Sequence, residues 1–238
     1  MKNEFKRAMK LVWGNKRMRG TFGCGFGMNL NECGWLLVIM GLCAVAPLVS
    51  LLFGVQLSEI WILRLLGFQA FVNYVMLVWH MTSMFGRYGK LGKAFGGFPM
   101  AKYVMTKGYV INTWVLLAIG VGLTMTGHGL CLLTGAVPTA RFVEILLFFS
   151  VGFLLNGLCL GIRYLSNPVV EMGSIFAGTC LIGLKMLADN IAENGASTGK
   201  NVFWIILCLG LGTVFLYLFS KKRYKKRDTV ALEVLREE

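Results

Sequence analysis

Val202-Phe203-Trp204-Ile205-Ile206-Leu207-Cys208-Leu209-Gly210-Leu211-Gly212-Thr213-Val214-Phe215-Leu216-Tyr217-Leu218-Phe219-Ser220 carries no charge and runs straight into Lys221-Lys222-Arg223-Tyr224-Lys225-Lys226-Arg227. A helix of roughly 20 apolar residues matches the ~30 Å hydrocarbon core of a bilayer. A basic run directly after it acts as a stop-transfer anchor and stays on the cytoplasmic side. The stretch therefore predicts a membrane span over 202–220 and a basic cytoplasmic tail over 221–238, with a short frayed helix over 228–238.

Working outward, five more apolar stretches predict spans at about 35–55, 59–85, 108–133, 142–163 and 169–188. Of 238 residues 56% are hydrophobic and 15% charged, more apolar surface than one water-soluble core of that size can hide. The expected fold class is an all-α integral membrane protein of six transmembrane helices, one domain over 35–220, with both termini cytoplasmic.

The net charge of +13 raises nucleic acid as a partner, and the placement of the charge argues against it. Twenty of the 24 basic residues precede the first span, lie between the second and third, or follow the fourth and sixth, so they share one side of the zigzag. The positive-inside rule makes that side cytoplasmic, and anionic headgroups attract such clusters by about 1 kcal/mol per residue. A nucleic-acid reader needs a soluble basic face interleaved with aromatics instead. Multi-pass insertion in the cell membrane is the expected localisation.

Seven cysteines form no CxxC pair and fall mostly within or at the edges of spans, where they read as small packing residues with no metal or redox role. Ala44-Val45-Ala46 resembles a signal-peptidase site, but Pro47 follows and the apolar run continues through Phe53, so the first span reads as uncleaved. Ahead of it, Phe5, Ala8, Met9, Val12 and Trp13 recur at helical spacing and predict an amphipathic interfacial helix or an orientation signal within 1–34. Gly20, Gly23, Gly25, Gly27 and Gly34 then mark a turn and miss the dinucleotide-binding spacing. Thr198-Gly199-Lys200 lacks the rest of a phosphate-binding loop. No cofactor is implied.

Within the second span Gln69, Asn73 and His80 share one helical face, because offsets of four and eleven residues both return near the starting direction. Polar groups facing acyl chains are costly, so the stripe should face protein or water. Asn112 in the third span and Asn156 in the fourth belong with it. The set either lines a substrate path or hydrogen-bonds helices together. Gly157 and Gly161 form a small-xxx-small pair suited to close helix packing.

Between the second and third spans, over 86–107, lies a basic cytoplasmic elbow. Gly96-Gly97 break the chain, Pro99 suits the first position of a helix, and Lys102 and Lys107 lead into the third span. Six spans, a basic amphipathic N-terminal helix and the Phe98-Pro99-Met100-Ala101-Lys102-x-x-x-x-Lys107 segment resemble the permease subunit of type-2 ABC transporters. In that family a similar segment lies near the region that docks on the ATPase, and Pro99, Lys102 and Lys107 match its pattern. No family signature is identified around the sixth span. The resemblance implies a permease pairing with a second copy or paralogue and with separate ABC ATPase subunits, exporting a hydrophobic or amphipathic peptide, drug or lipid. Such a chain hydrolyses nothing itself.

Three other classes compete. A proton- or sodium-coupled carrier or channel wants a carboxylate near mid-membrane, where none of Glu32, Glu59, Glu144, Glu171, Asp189 or Glu193 falls. A membrane enzyme wants a catalytic cluster, and the two histidines, His80 and His128, fall towards opposite ends of adjacent spans. A non-transporting immunity or assembly protein fits the composition.

Overall fold

The structure is a computed structural model and describes residues 30–54, 59–85, 101–133, 142–162 and 198–236. These form five helical rods: α1 (Leu30–Leu52), α2 (Glu59–Phe85), α3 (101–133), α4 (Phe142–Ile162) and α5 (Thr198–Arg236). The described part is all-helical. Three of its helices are long and apolar enough to cross a membrane, over Val104–Leu130, Val143–Gly161 and Asn201–Tyr224, and shorter apolar helices cover Leu36–Ala46 and Gly67–Val78. The N-terminal helix, most of the elbow including Pro99, and the stretch expected to span at 169–188 lie outside the described residues.

Helix boundaries follow local chemistry. α1 starts at Leu30, ahead of the expected 35, so Gly34 lies within the helix rather than in a turn. It ends where Gly54 takes φ +69°, the left-handed conformation that closes a helix and that only glycine adopts cheaply. α3 is built of three contiguous pieces, Ala101–Tyr103, a π-helical turn Val104–Gly108, and Tyr109–Leu133. α5 begins at Thr198, four residues ahead of the predicted span, and continues without a break through the basic run to Arg236. Lys, Arg, Glu, Ala and Leu are all good helix formers, so charge ends the apolar face without ending the helix.

Paired contacts fix the directions of the rods. Asn73 reaches Leu116 while His80 reaches Asn112, so α2 and α3 are antiparallel. Trp114 packs on Phe153, ring centroids 4.8 Å apart, while Tyr109 lies by Asn156 and Cys159, so α4 is antiparallel to α3. α4 and α5 run parallel: Gly157 meets Gly212 and Phe215, Gly161 meets Phe219, and the Leu160 carbonyl accepts from Arg223 Nε at 2.9 Å. The glycines let these two rods approach closely. A Cβ on Gly161 would stand 2.5 Å from the Phe219 ring, and one on Gly212 would stand 2.7 Å from that of Phe153. The shared core includes Met76, Leu77, Leu116, Phe153, Leu160 and Leu216. Val38, Leu42, Phe203, Ile206, Val214 and Leu218 point outward, as an apolar solvent permits.

Candidate functional site: a buried polar junction beneath an exposed basic helix end

All three residues of the α2 stripe are buried, and each is turned to a neighbouring helix. Gln69 Nε2 donates to the Met40 carbonyl of α1 at 3.0 Å, and Asn73 Nδ2 donates to the Leu116 carbonyl of α3 at 3.1 Å. Asn112 Nδ2 donates to His80 Nε2 at 2.9 Å, which requires that nitrogen of the imidazole to be unprotonated. Gly120 makes room for this arrangement, since a Cβ there would fall within the Asn73 amide.

One turn beyond, the stripe opens into a cluster shared by four helices. The His80 ring stacks on Tyr109, centroids 5.2 Å apart and planes 18° from parallel. The Tyr109 hydroxyl lies among the Asn156 and Thr113 side chains, with the Cys159 thiol and the Arg223 guanidinium around it. Tyr74 of α2 reaches Cys159 Sγ at 3.4 Å. Tyr109, Asn112, Thr113 and Asn156 are each at most 1% exposed. Low dielectric strengthens the Asn112–His80, Tyr74–Cys159 and Arg223–Leu160 hydrogen bonds and penalises breaking them, so they tie α3 to α2, α2 to α4 and α4 to α5.

Above this junction the helix surface changes character within a turn. Lys102 and Lys107 are exposed, whereas Val104, Met105, Thr106 and Gly108 between and beside them are buried. A π-turn carries more residues per turn than an α-helix, which lets two lysines five apart both face outward while the intervening residues pack inward. Thr106 Oγ1 donates to the Lys102 carbonyl at 2.6 Å and closes the turn from inside. α5 packs against the same turn. The exposed lysines are thus joined, through a few residues of continuous helix, to the buried polar junction.

Of the residues singled out in the sequence, the structure brings His80, Asn112 and Asn156 to one junction. Gln69 and Asn73 lie farther along the same face of α2, and Lys102 and Lys107 sit at the rim. Tyr109, Tyr74 and Cys159 had no signal in the sequence, since a tyrosine or cysteine in an apolar run reads as packing. Arg223 was hidden in a charge run. Among the described residues no group of three or more His, Cys, Asp or Glu gathers in a way that could hold a metal. His128 stands 16 residues along α3 from Asn112, about 24 Å away from the His80 contact.

No family model, no curated protein and no solved structure matches this chain.

Proposed function

We propose that this chain is the membrane-embedded permease subunit of an ATP-driven type-2 ABC exporter, with six crossings, both termini cytoplasmic, and a separate ATPase docking at the elbow. The observation that carries the proposal is mechanical. Lys102 and Lys107 are open at the end of α3, and the same rod, within one or two turns, is hydrogen-bonded to α2 through Asn112 and buried beside α4 and α5 through Tyr109. A push on that end is delivered to the whole junction instead of being absorbed in a loop. Coupling of this kind needs an element with two packings that the partner favours unequally, and a π-turn is a place where helical register is easily exchanged.

What supports the sixfold crossing is the parallel packing of α4 and α5. Gly161, at the end of α4, lies beside Phe219. Thr198, where α5 begins, is 21 residues and about 30 Å back along the bundle. In this reading the chain returns between them by a further crossing, because a helix is the way a single segment crosses a bilayer with its backbone satisfied. The apolar run 169–188 has the length for it. With that return crossing, the elbow, the end of α4 and the tail of α5 share one face, which carries most of the positive charge.

In this reading the chain pairs with a second permease, and its cargo is a hydrophobic or amphipathic peptide, drug or lipid. In this packing the amides of Gln69, Asn73 and Asn112 hold helices together, so a cargo path along the stripe requires those bonds to exchange. The test is affinity purification of the tagged chain in mild detergent, followed by transport in reconstituted vesicles. A co-purifying ABC ATPase and ATP-dependent transport support the reading. A solitary chain, or transport that collapses with the proton gradient, refutes it.

A further inference from the structure

The elbow lysines and the tail lysines, more than a hundred residues apart in the chain, converge at one rim of the bundle. Trp114 Nε1 of α3 donates to Thr213 Oγ1 of α5 at 3.2 Å, which puts these two residues at one height. The two rods are antiparallel, because the π-turn and Tyr109 precede Trp114 on α3 yet lie beside α5 within electrostatic reach of Arg223, which follows Thr213. Stepping from Thr213 through Tyr217 to Lys221 turns about 80° towards the outward row of Val214 and Leu218 and climbs about 12 Å. Stepping back from Trp114 to Lys107 stays on one face of α3 and climbs about 10 Å in the same direction. Lys107 and Lys221 therefore arrive at almost the same level on the outward flanks of two packed helices.

Both ammonium groups are exposed, and no carboxylate among the described residues pairs with either. Lys102 and Lys222, also exposed, stand beside them. Tyr103, Tyr217 and Tyr224 pack their rings on the core at the same rim, leaving amphipathic edges at the boundary. The depth is informative too. The apolar stretches Val104–Leu130 and Asn201–Tyr224 both end here, so the rim lies where acyl chains give way to headgroups. Two like charges at one level of a low-dielectric boundary repel unless an anion lies between them, and the anion always present at that depth is a lipid phosphate.

We propose that Lys107 and Lys221 form a binding site for the phosphate of an anionic phospholipid, which bridges α3 to α5 at the elbow, with Lys102 and Lys222 supplementing the field. The site needs only a bilayer, so it stands or falls independently of the ATPase. A lipid held there ties the end of α3 to α5 and makes the junction responsive to leaflet composition.

The experiment uses the full chain in nanodiscs of phosphatidylcholine containing a minority of phosphatidylglycerol, without any ATPase. Spin-labelled phosphatidylglycerol and phosphatidylcholine report the relative association of each lipid with the protein. Wild type should prefer the anionic lipid. Lys107→Gln and Lys221→Gln should each lower that preference about fivefold, the equivalent of ~1 kcal/mol. Because both hold one phosphate, the double variant should lose little more than either single one, and Lys107→Arg should retain the preference. Gel-filtration profile and thermal stability serve as the folding control. Equal association of the two lipids with wild type, or a preference untouched by the two substitutions, overturns the site. Abolition of the preference by millimolar inorganic phosphate would show a free-anion site and equally overturn the lipid. If wild type shows no lipid preference yet Lys107→Gln abolishes capture of a co-purifying ATPase, the rim is a protein dock and the proposal fails while the permease reading survives.

Discussion

At the scale of single residues, the stability of the bundle depends on amides that have no water to fall back on. Asn73 is the sharpest case, because its Nδ2 takes the Leu116 carbonyl while its carboxamide fills the space that a side chain on Gly120 would need. Asn73→Ala should cost about 1–2 kcal/mol, within the range for interhelical hydrogen bonds in membranes. Gly120→Ala should cost about 1–3 kcal/mol through overpacking. Removing the carboxamide also removes the obstacle, so the double variant should be more stable than the sum of the two losses by about 1 kcal/mol. Denaturant unfolding in micelles measures this cycle, and simple additivity would show that the two positions do not touch. The shared face of Gln69, Asn73 and His80 was legible from spacing alone. Their partners were not, because a backbone carbonyl such as that of Met40 or Leu116 leaves no mark in sequence.

At the scale of elements, α4 and α5 depend on glycine contacts. Gly161 admits the Phe219 ring and Gly212 admits that of Phe153, so their side-chain-free surfaces set the distance between the rods. Gly161→Leu should force the helices apart and lower the melting temperature markedly. Phe219→Ala in the same chain should recover part of the loss by vacating the space. If Gly161→Leu alone melts as wild type does, the close approach is refuted. The small-xxx-small pair announced a packing face but not its partner, since a neighbour 50 residues on is chosen by topology. The continuation of α5 past Lys221 was masked by its own chemistry, because a charge run that stops translocation is also a good helix former. The π-turn was equally silent. It arises from how Val104, Met105 and Tyr109 seat in the core, not from a turn-forming residue.

At the scale of the whole molecule, an all-helical bundle with membrane-length apolar rods was legible, because hydropathy over twenty residues integrates a strong signal. The order of packing was not, and it is the order that gives the elbow its meaning: α3 enters the junction at the end where α5 leaves it, and α4 and α5 travel side by side in one direction. The most direct test of the account is cysteine labelling with a membrane-impermeant maleimide in an otherwise cysteine-free chain. Lys102→Cys and Ser166→Cys should react only in inverted vesicles, and Ser197→Cys only in intact cells. Labelling of Lys102→Cys from outside an intact cell, or of Ser166→Cys and Ser197→Cys from the same side, would contradict the proposed cytoplasmic placement of the rim, on which the permease reading depends.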